Sequence, residues 1–499
     1  MPATFHHGVE IQEVKSRTRT ISLVQSAIIG VIGTAPIHRL PAAQRTLNRN
    51  VLIASDADKA YYCGGDADSA GYTLNRDIEA IFKQANTAVI AINVFDPSTH
   101  RTLGANIATS GNASRTANVA TVTTAAPHGL VTGDFVNLTS FAAGFASFNE
   151  DYVEITAPTT TTITFPSVGA NIAAAAQTAG IVKKITFTPE AVTSGDIVGT
   201  VEADGSVTGM KVWAAARGQF GFSPRILIAP SYSTQDTVAA EMRIIADELR
   251  AKAAIDVPAG LTYQQVLEGR GVGGTINLNT SSARVDICYP HVYGASVVDG
   301  TEELHPFSPY YAGAMAATDL EEGYWTPPSN REIKGITGVE RNISFDVMNS
   351  NTEANKLNAA GVVTIVRDYG TGFLIWGVRS AAFPSSSEPD SFTSVRRTKD
   401  ILHDSLGYGL RPFLGKPMTL ANVDSALMTI NGFLRDRISA GALMPGSEAK
   451  FLPSDNSTTQ MAQGKICFYL NQMSPIPMEH IILKSQENID LLEALYELS

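Results

Sequence analysis

The spacing of apolar and polar positions changes most clearly between positions 362 and 441 of the 499-residue chain. Val362-Val363-Thr364-Ile365 is a short β-branched run, and Gly372-Phe373-Leu374-Ile375-Trp376-Gly377-Val378 is an apolar run bracketed by glycines. The second is too short for a helix and predicts a buried central strand. A polar loop at 385–391 follows. From Thr419 onward, Leu420, Val423, Leu427, Ile430, Leu434 and Ile438 recur at steps of three and four, which places them on one helix face. Thr419 is suited to cap that helix and Gly441 to end it. Full burial of these side chains would contribute about 10–15 kcal/mol of gross transfer free energy.

The rest of the chain alternates in the same two periods. Positions 9–14 carry Val9, Ile11 and Val14 on a partly alternating strand with no hairpin partner nearby in sequence. A buried strand is predicted at 21–32, a helix at 74–86 and an apolar strand at 88–94, the order of an α/β unit. At about position 101 the pattern shifts. Between 102 and 182 the charged residues are Arg115, Asp134, Glu150, Asp151 and Glu154, while Thr, Ala and Gly dominate. Short strands at 118–124, 135–138, 152–156 and 161–165 predict a small β-sandwich or barrel inserted in a surface loop, where it costs its host little. The α/β pattern resumes with a strand at 224–230, an amphipathic helix at 236–254 and a strand at 285–289. A mixed, aromatic-rich stretch covers 304–325, and a short helix covers 355–360. Strand-like runs return at 466–470 and 479–484, and 489–498 is amphipathic.

This length allows roughly three domains. Hydrophobic content of 44% against 17% charged fits a globular chain, and no apolar run reaches the ~18–20 residues of a membrane helix. A net charge of −11 argues against a nucleic-acid binder, which needs a basic stripe. Arg396-Arg397 and the pair Arg435 and Arg437 read as solvated helix faces. Cys63, Cys288 and Cys467 are odd in number and far apart, with no disulfide or zinc spacing, which fits a reducing compartment.

Catalytic signatures are scarce. Gly415-Lys416 is followed by Pro417 rather than Ser or Thr and lacks the upstream glycine of a phosphate loop. Gly269-Arg270-Gly271-Val272-Gly273-Gly274 matches a dinucleotide fingerprint literally, but it follows a helix-like segment, the reverse of strand–loop–helix. The side chains of His6 and His7 would point to opposite faces of a strand. Asp319, Glu321 and Glu322 form an acidic turn before Trp325. No local motif nominates a catalytic triad, and no cofactor, catalytic or metal site is expected.

Four stretches, in order, carry a resemblance to the contractile tail sheath proteins of bacteriophages and phage-tail-like particles. They are His7-Gly8-Val9-Glu10-Ile11 with Ile29-Gly30-Val31-Ile32-Gly33-Thr34-Ala35-Pro36; Ala312-Gly313-Ala314-Met315-Ala316-Ala317-Thr318-Asp319 continuing through Gly323-Tyr324-Trp325-Thr326-Pro327-Pro328-Ser329-Asn330; Leu357-Asn358-Ala359-Ala360-Gly361-Val362-Val363 with Trp376-Gly377-Val378-Arg379-Ser380; and Val395-Arg396-Arg397 with the helix that starts at Thr419. Val363, Ser380 and Pro328 depart from residues common in the family. The insert resembles β-modules of other phage structural proteins.

The resemblance implies a multidomain α/β and β chain. A subtilisin-like α/β sheath core would take 21–101 and 185–384, with a small all-β domain inserted at 102–184. An α+β C-terminal domain would take 385–485, with extended arms at 1–20 and 486–499. It implies a non-enzymatic subunit that polymerises as stacked helical rings around an inner tail tube and contracts to drive the tube through the host envelope. Its arms would link neighbours by strand addition through Val9, Ile11, Val14, Ile481 and Leu483, and Lys416, Arg435 and Arg437 are candidates to face the tube. Implied partners are further copies of the chain, the tail tube protein, and baseplate and tail terminator proteins, with no direct nucleic acid and no stable membrane insertion. Synthesis is expected in the host cytoplasm and residence in the virion tail. Two rival readings are a hydrolase built on the α/β domain and an adhesin acting through the Thr-rich insert.

Overall fold

A computed structural model describes residues 21–489 apart from positions 143 and 369, together with position 492. The predicted strand at 9–14 and the pair His6 and His7 lie outside the described residues.

The body is built on an eight-stranded sheet. Its order is Phe373–Trp376, Val362–Arg367, Val285–Cys288, Lys252–Asp256, Ile226–Ile228, Ile29–Gly33, Val89–Asn93 and Val51–Ile53. The inner strands are parallel, and both edge strands run antiparallel to their neighbours. The chain starts in the middle at Ile29–Gly33, builds outward to Val51–Ile53, then returns to the other side of Ile29–Gly33 and continues to Phe373–Trp376. Parallel strands buried on both faces read as continuous apolar runs, which is how Ile29–Gly33 and Val89–Asn93 look in sequence.

Pleating sends Ile255, Val285 and Ile287 to one face, where the Asp236–Leu249 helix lies. Asp256, Asp286 and Lys252 point to the other face. There the Ser308–Glu321 helix packs on the Leu74–Gln84 helix and on the sheet. Gly313 makes that helix pair close, because a Cβ there would meet Gln84 Cβ at 2.9 Å.

Several elements differ from expectation. The strand at 21–32 is confined to Ile29–Gly33. The helix predicted over 236–254 stops at Leu249, where Arg250 adopts φ +50, and Lys252–Asp256 becomes a fully buried strand. Its alanines are good helix formers, overridden by their place between two parallel strands. The Phe373–Trp376 strand is an edge, not a central strand. The mixed stretch around 304–325 is mostly the Ser308–Glu321 helix.

Residues 101–187 form a second, wholly antiparallel sheet. Its order is Glu150–Glu154, Phe135–Thr139, Ile181–Phe187, Ile107–Thr116, Val119–Thr124 and Thr162–Pro166, with Ile172–Ala176 and Arg101–Leu103 paired at its sides. Thr156 N donates to Thr164 O at 2.9 Å, so the sheet curls back on itself. It encloses a separate core that includes Val122, Val136, Leu138, Phe148, Ile163 and Phe165. The two sheets meet around His38, whose ring lies 5.1 Å from Phe135, 4.0 Å from Phe187 and 6.1 Å from both Tyr72 and Phe95. Arg45 donates to the Tyr152 hydroxyl (2.9 Å) across the same junction.

C-terminal to the large sheet come two long helices, Thr393–Gly409 and Leu420–Ser439, and a hairpin of Glu448–Lys450 with Tyr469–Asn471. Thr419 caps the second helix by accepting from Asn422 N, and Gly441 follows its end with φ +85. Ile430, Phe433 and Leu434 pack with Leu402, Leu406 and Leu443. Leu420, counted on the apolar face, is 79% exposed, so the helix buries less than its periodicity implies.

Candidate assembly site at the base of the parallel sheet

The Thr393–Gly409 helix is the part of the molecule that periodicity misses. Its buried positions include Thr393, Ser394, Arg397, Thr398, Asp400 and Ser405, so it turns a polar face inward. Hydrophobic periodicity reads only its other side, where Val395, Leu402 and Leu406 are buried, and is blind to this polar face. Its partners stand at the N-terminal edge of the large sheet: Arg225 just before Ile226–Ile228, Lys252 opening Lys252–Asp256, and Arg284 just before Val285–Cys288.

Asp400 and Asp404, one turn apart, face that row. Asp404 pairs with Arg225 (2.5 Å) and Arg250 (3.1 Å). Asp400 accepts two hydrogen bonds from Arg284 (3.0 and 2.7 Å) and also binds Arg396 on its own helix. Arg396 reaches Asp390 as well (3.0 Å). Lys252 pairs with Asp286 (2.8 Å), and Asp286 also accepts from the hydroxyls of Thr393 (2.8 Å) and Tyr311 (3.0 Å). Arg397 forms a two-pronged pair with Asp319 at the end of the Ser308–Glu321 helix (2.7 and 2.6 Å). Arg396 and Arg397 are therefore not a solvated face, and Asp319 is no exposed acidic turn, because its carboxylate is fully buried.

Electrostatics follow from this burial. Burial pulls the Arg397 pKa down, yet Asp319 outweighs it and the guanidinium is held charged. Burial alone would raise the Asp400 carboxyl, but hydrogen bonds from Arg396 and Arg284 win and its pKa is lowered. Lys252 goes the other way: burial lowers its pKa and Asp286 only partly offsets it. Fully buried ion pairs add little net stability, but losing one partner costs about 3–5 kcal/mol, so such a row fixes register rather than strength.

The first described residues and part of the C-terminal segment both lie beside this helix. Ile21 packs against its C-terminal end, where Gly409 leaves the room: a Cβ there would meet Ile21 at 2.5 Å. Val24 N donates to Ser405 Oγ (3.1 Å), and Arg397 reaches Ser26 O (3.4 Å). At the other end, beside Phe392, Arg379 holds Glu479 of the C-terminal segment.

The usual ligand positions of an α/β sheet are filled. Such sheets bind at the C-terminal ends of the strands where the winding direction reverses, here between Ile29–Gly33 and Ile226–Ile228. Arg76, Asp77, Tyr232 and Tyr310 occupy this place. Burial raises the Asp77 carboxyl to about 6 against the pull of Arg76. Ser231 Oγ is bound by Arg76 (3.1 Å). Nearby, Asp256 accepts from Ser308 N (2.7 Å), Ser308 Oγ (2.5 Å) and Ser233 Oγ (3.4 Å). The serines therefore serve a helix-capping carboxylate rather than a base. A cleft of about 220 Å³ lies between the Asp236–Leu249 helix and residues 277–280, below the ~300 Å³ of ordinary ligand pockets. Among the described residues, no helix is long and apolar enough to cross a membrane and no cluster is arranged to hold a metal.

The chain is 36% identical over 498 residues to the tail sheath protein of Burkholderia phage BcepMu, covering 99% of each chain. The chain belongs to the phage tail sheath protein family. The phage tail sheath protein central domain matches residues 205–381. A putative prophage major tail sheath protein of Pseudomonas aeruginosa (strain UCBPP-PA14) is 33% identical over 59% of this chain and 72% of its own. The fold is similar to that of the anti-feeding prophage helical sheath in its contracted state (TM-score 0.58, 15% identity, covering 97% of this chain and 100% of that one) and to that of an extracellular contractile injection system sheath complex in its contracted state (0.55, 14%, 98% and 100%).

The sheath motifs are structural in this chain. Gly313 sets the helix approach, and Asp319 receives Arg397. Asn330, at φ +64, donates its backbone N to Ile375 O (2.6 Å). Asn358, with its amide oriented to satisfy both ends, donates to Val362 O and Trp376 O and accepts from Trp376 Nε1.

The candidate assembly residues of this sheath chain are scattered. Val9, Ile11 and Val14 lie outside the described residues. Ile481 and Leu483 are 68% and 90% exposed and pair with no strand among the described residues. Lys416 is exposed beside Phe413, and Arg435 is exposed. Arg437 is half-buried over the Phe433 ring and beside Tyr324.

Proposed function

We propose that this chain is the repeating subunit of a contractile tail sheath, polymerising as stacked helical rings around an inner tube and contracting to drive that tube through the host envelope. Near-complete coverage of a phage tail sheath protein at 36% identity carries this reading. Its organisation is a subtilisin-like α/β core at 21–101 and 185–384, a small all-β domain inserted at 102–184, an α+β C-terminal domain at 385–485 and arms at 1–20 and 486–499. The arms add strands to neighbouring copies through Val9, Ile11, Val14, Ile481 and Leu483. The exposed apolar run from Ile481 to Leu483, unpaired among the described residues, supports this role. Lys416, Arg435 and Arg437 face the tail tube, Arg437 being half-buried over the Phe433 ring. Baseplate and terminator proteins cap the polymer, which is made in the host cytoplasm and resides in the virion tail. No reaction is assigned to it.

Electron microscopy of the purified full chain tests this reading, with striated tubes as the expected result. A chain lacking residues 1–15 should fold but remain unpolymerised. Reversing the charge of Lys416 and Arg435 together should spare the sheath and weaken its hold on the tube. Persistently monomeric wild-type chain under every condition would overturn the proposal.

A further inference from the structure

Arg379 belongs to the Trp376-Gly377-Val378-Arg379-Ser380 motif, just beyond the edge strand of the large sheet, and is only 13% exposed. Its guanidinium carbon lies 3.6 Å from the Phe392 ring centre and 4.7 Å from that of Phe383. Nη1 donates to Ser391 Oγ (2.6 Å). The remaining donors, Nε and Nη2, converge on Glu479: Nε at 3.0 Å from Oε1 and 3.1 Å from Oε2, and Nη2 at 2.6 Å from Oε2. A planar cation held by aromatic rings, with two parallel N–H groups aimed outward, is a socket shaped for one carboxylate.

The segment that delivers this carboxylate is itself held down. From the Tyr469–Asn471 strand it runs past Gln472, whose amide nitrogen lies 3.1 Å from His403 Nε2, and past Met473, whose carbonyl accepts from Met444 N (2.8 Å). Ser474 is buried, and Pro475 and Pro477 are half-buried. Each proline removes backbone freedom, so little entropy is lost when Glu479 docks. Every residue from 480 to 489 is exposed, with Ile482 at 70% and Leu483 at 90%. Among the described residues, burial of the C-terminal segment thus stops at Pro477, just before the ion pair.

We propose that Arg379 is a carboxylate socket that clips Glu479 to its own subunit and so sets the point from which the C-terminal segment departs toward a second copy of the chain. Arg379 is a positioning residue. Residues 472–479 form a strap belonging to the subunit, and linkage to a neighbour begins at position 480. The inference rests on the sheath reading above.

Two full-length variants test it. Glu479→Gln keeps the size of a half-exposed side chain and removes its charge. Arg379→Lys keeps the charge and removes the two-pronged fork. Hydrogen exchange is measured on the unassembled chain, and sheath yield and length are counted by electron microscopy. Both variants should raise exchange over 472–479 by about tenfold or more, leave the strands of the large sheet unchanged, and give fewer and shorter sheaths. Unchanged exchange over 472–479 in Glu479→Gln overturns the clip, as does increased exchange with sheaths of wild-type yield and length. Should Arg379→Lys fail to fold, Glu479→Gln alone decides. A wild-type chain that forms no sheath would defeat the sheath reading, and the exchange measurement would still decide whether the strap is clipped.

Discussion

His38 joins two sheets with a ring that must stay neutral. Burial among Tyr72, Phe95, Phe135 and Phe187, reinforced by Arg39 and Arg45, lowers its pKa to about 3. The unfolded chain protonates this imidazole near 6.5. Its contribution to stability is therefore complete above about pH 6.5 and is lost as pH falls toward 3. Between pH 6.5 and 4 this single group should cost about 3 kcal/mol. His38→Leu should flatten that part of the acid limb by a similar amount, as read from urea unfolding at a series of pH values. An unaltered pH profile would show that the ring does not titrate as its packing requires.

At the scale of elements, the Thr393–Gly409 helix shows what sequence periodicity sees and what it misses. The Leu420–Ser439 helix was legible to its cap at Thr419 and its stop at Gly441, because apolar spacing and capping chemistry agree there. The Thr393–Gly409 helix was not, because Arg397, Asp400 and its buried hydroxyls look like solvent-facing residues until their partners are known. Those partners, Arg225, Arg284 and Asp319, lie far off in sequence. A spacing that could have raised the alarm is Asp400 with Asp404, one turn apart behind Arg396-Arg397. The same physics predicts asymmetry in mutation. Arg397→Leu should destabilise the chain by about 3–5 kcal/mol by stranding Asp319, while Arg397→Leu combined with Asp319→Leu should recover most of that loss. Equilibrium unfolding of the two single variants and the double variant measures the coupling. Costs that simply add would mean the pair does not act as a unit.

Over the whole molecule, the composition break at about 101 marked the second sheet, since a chain segment with so few charges folds around its own core. The strap and the two contacts beside one helix were not legible, since they join residues about 100 or more positions apart. Arg101–Leu103 and the end of Ile181–Phe187 pair antiparallel, Leu103 opposite Ile185 and Arg101 opposite Phe187. Paired stems of this kind can be closed by a tight turn of two to five residues. Replacing 104–184 by such a turn should leave a chain that unfolds cooperatively, weakened by about 3–5 kcal/mol from the loss of Phe135 beside His38. Circular dichroism on thermal unfolding checks this. A chain that cannot fold without the segment would make the small sheet part of the body.

The Thr393–Gly409 helix has a geometric consequence. At 1.5 Å per residue its 17 residues span about 25 Å, with Ile21 anchored at one end and the Arg379–Glu479 contact at the other. It spans the interval between these two contacts. In a polymer of such subunits, spacing between neighbours can change while the interval across each subunit cannot. A pull on the Ile21 contact would then reach the Arg379–Glu479 contact, and the sheet base between them, as one rigid displacement.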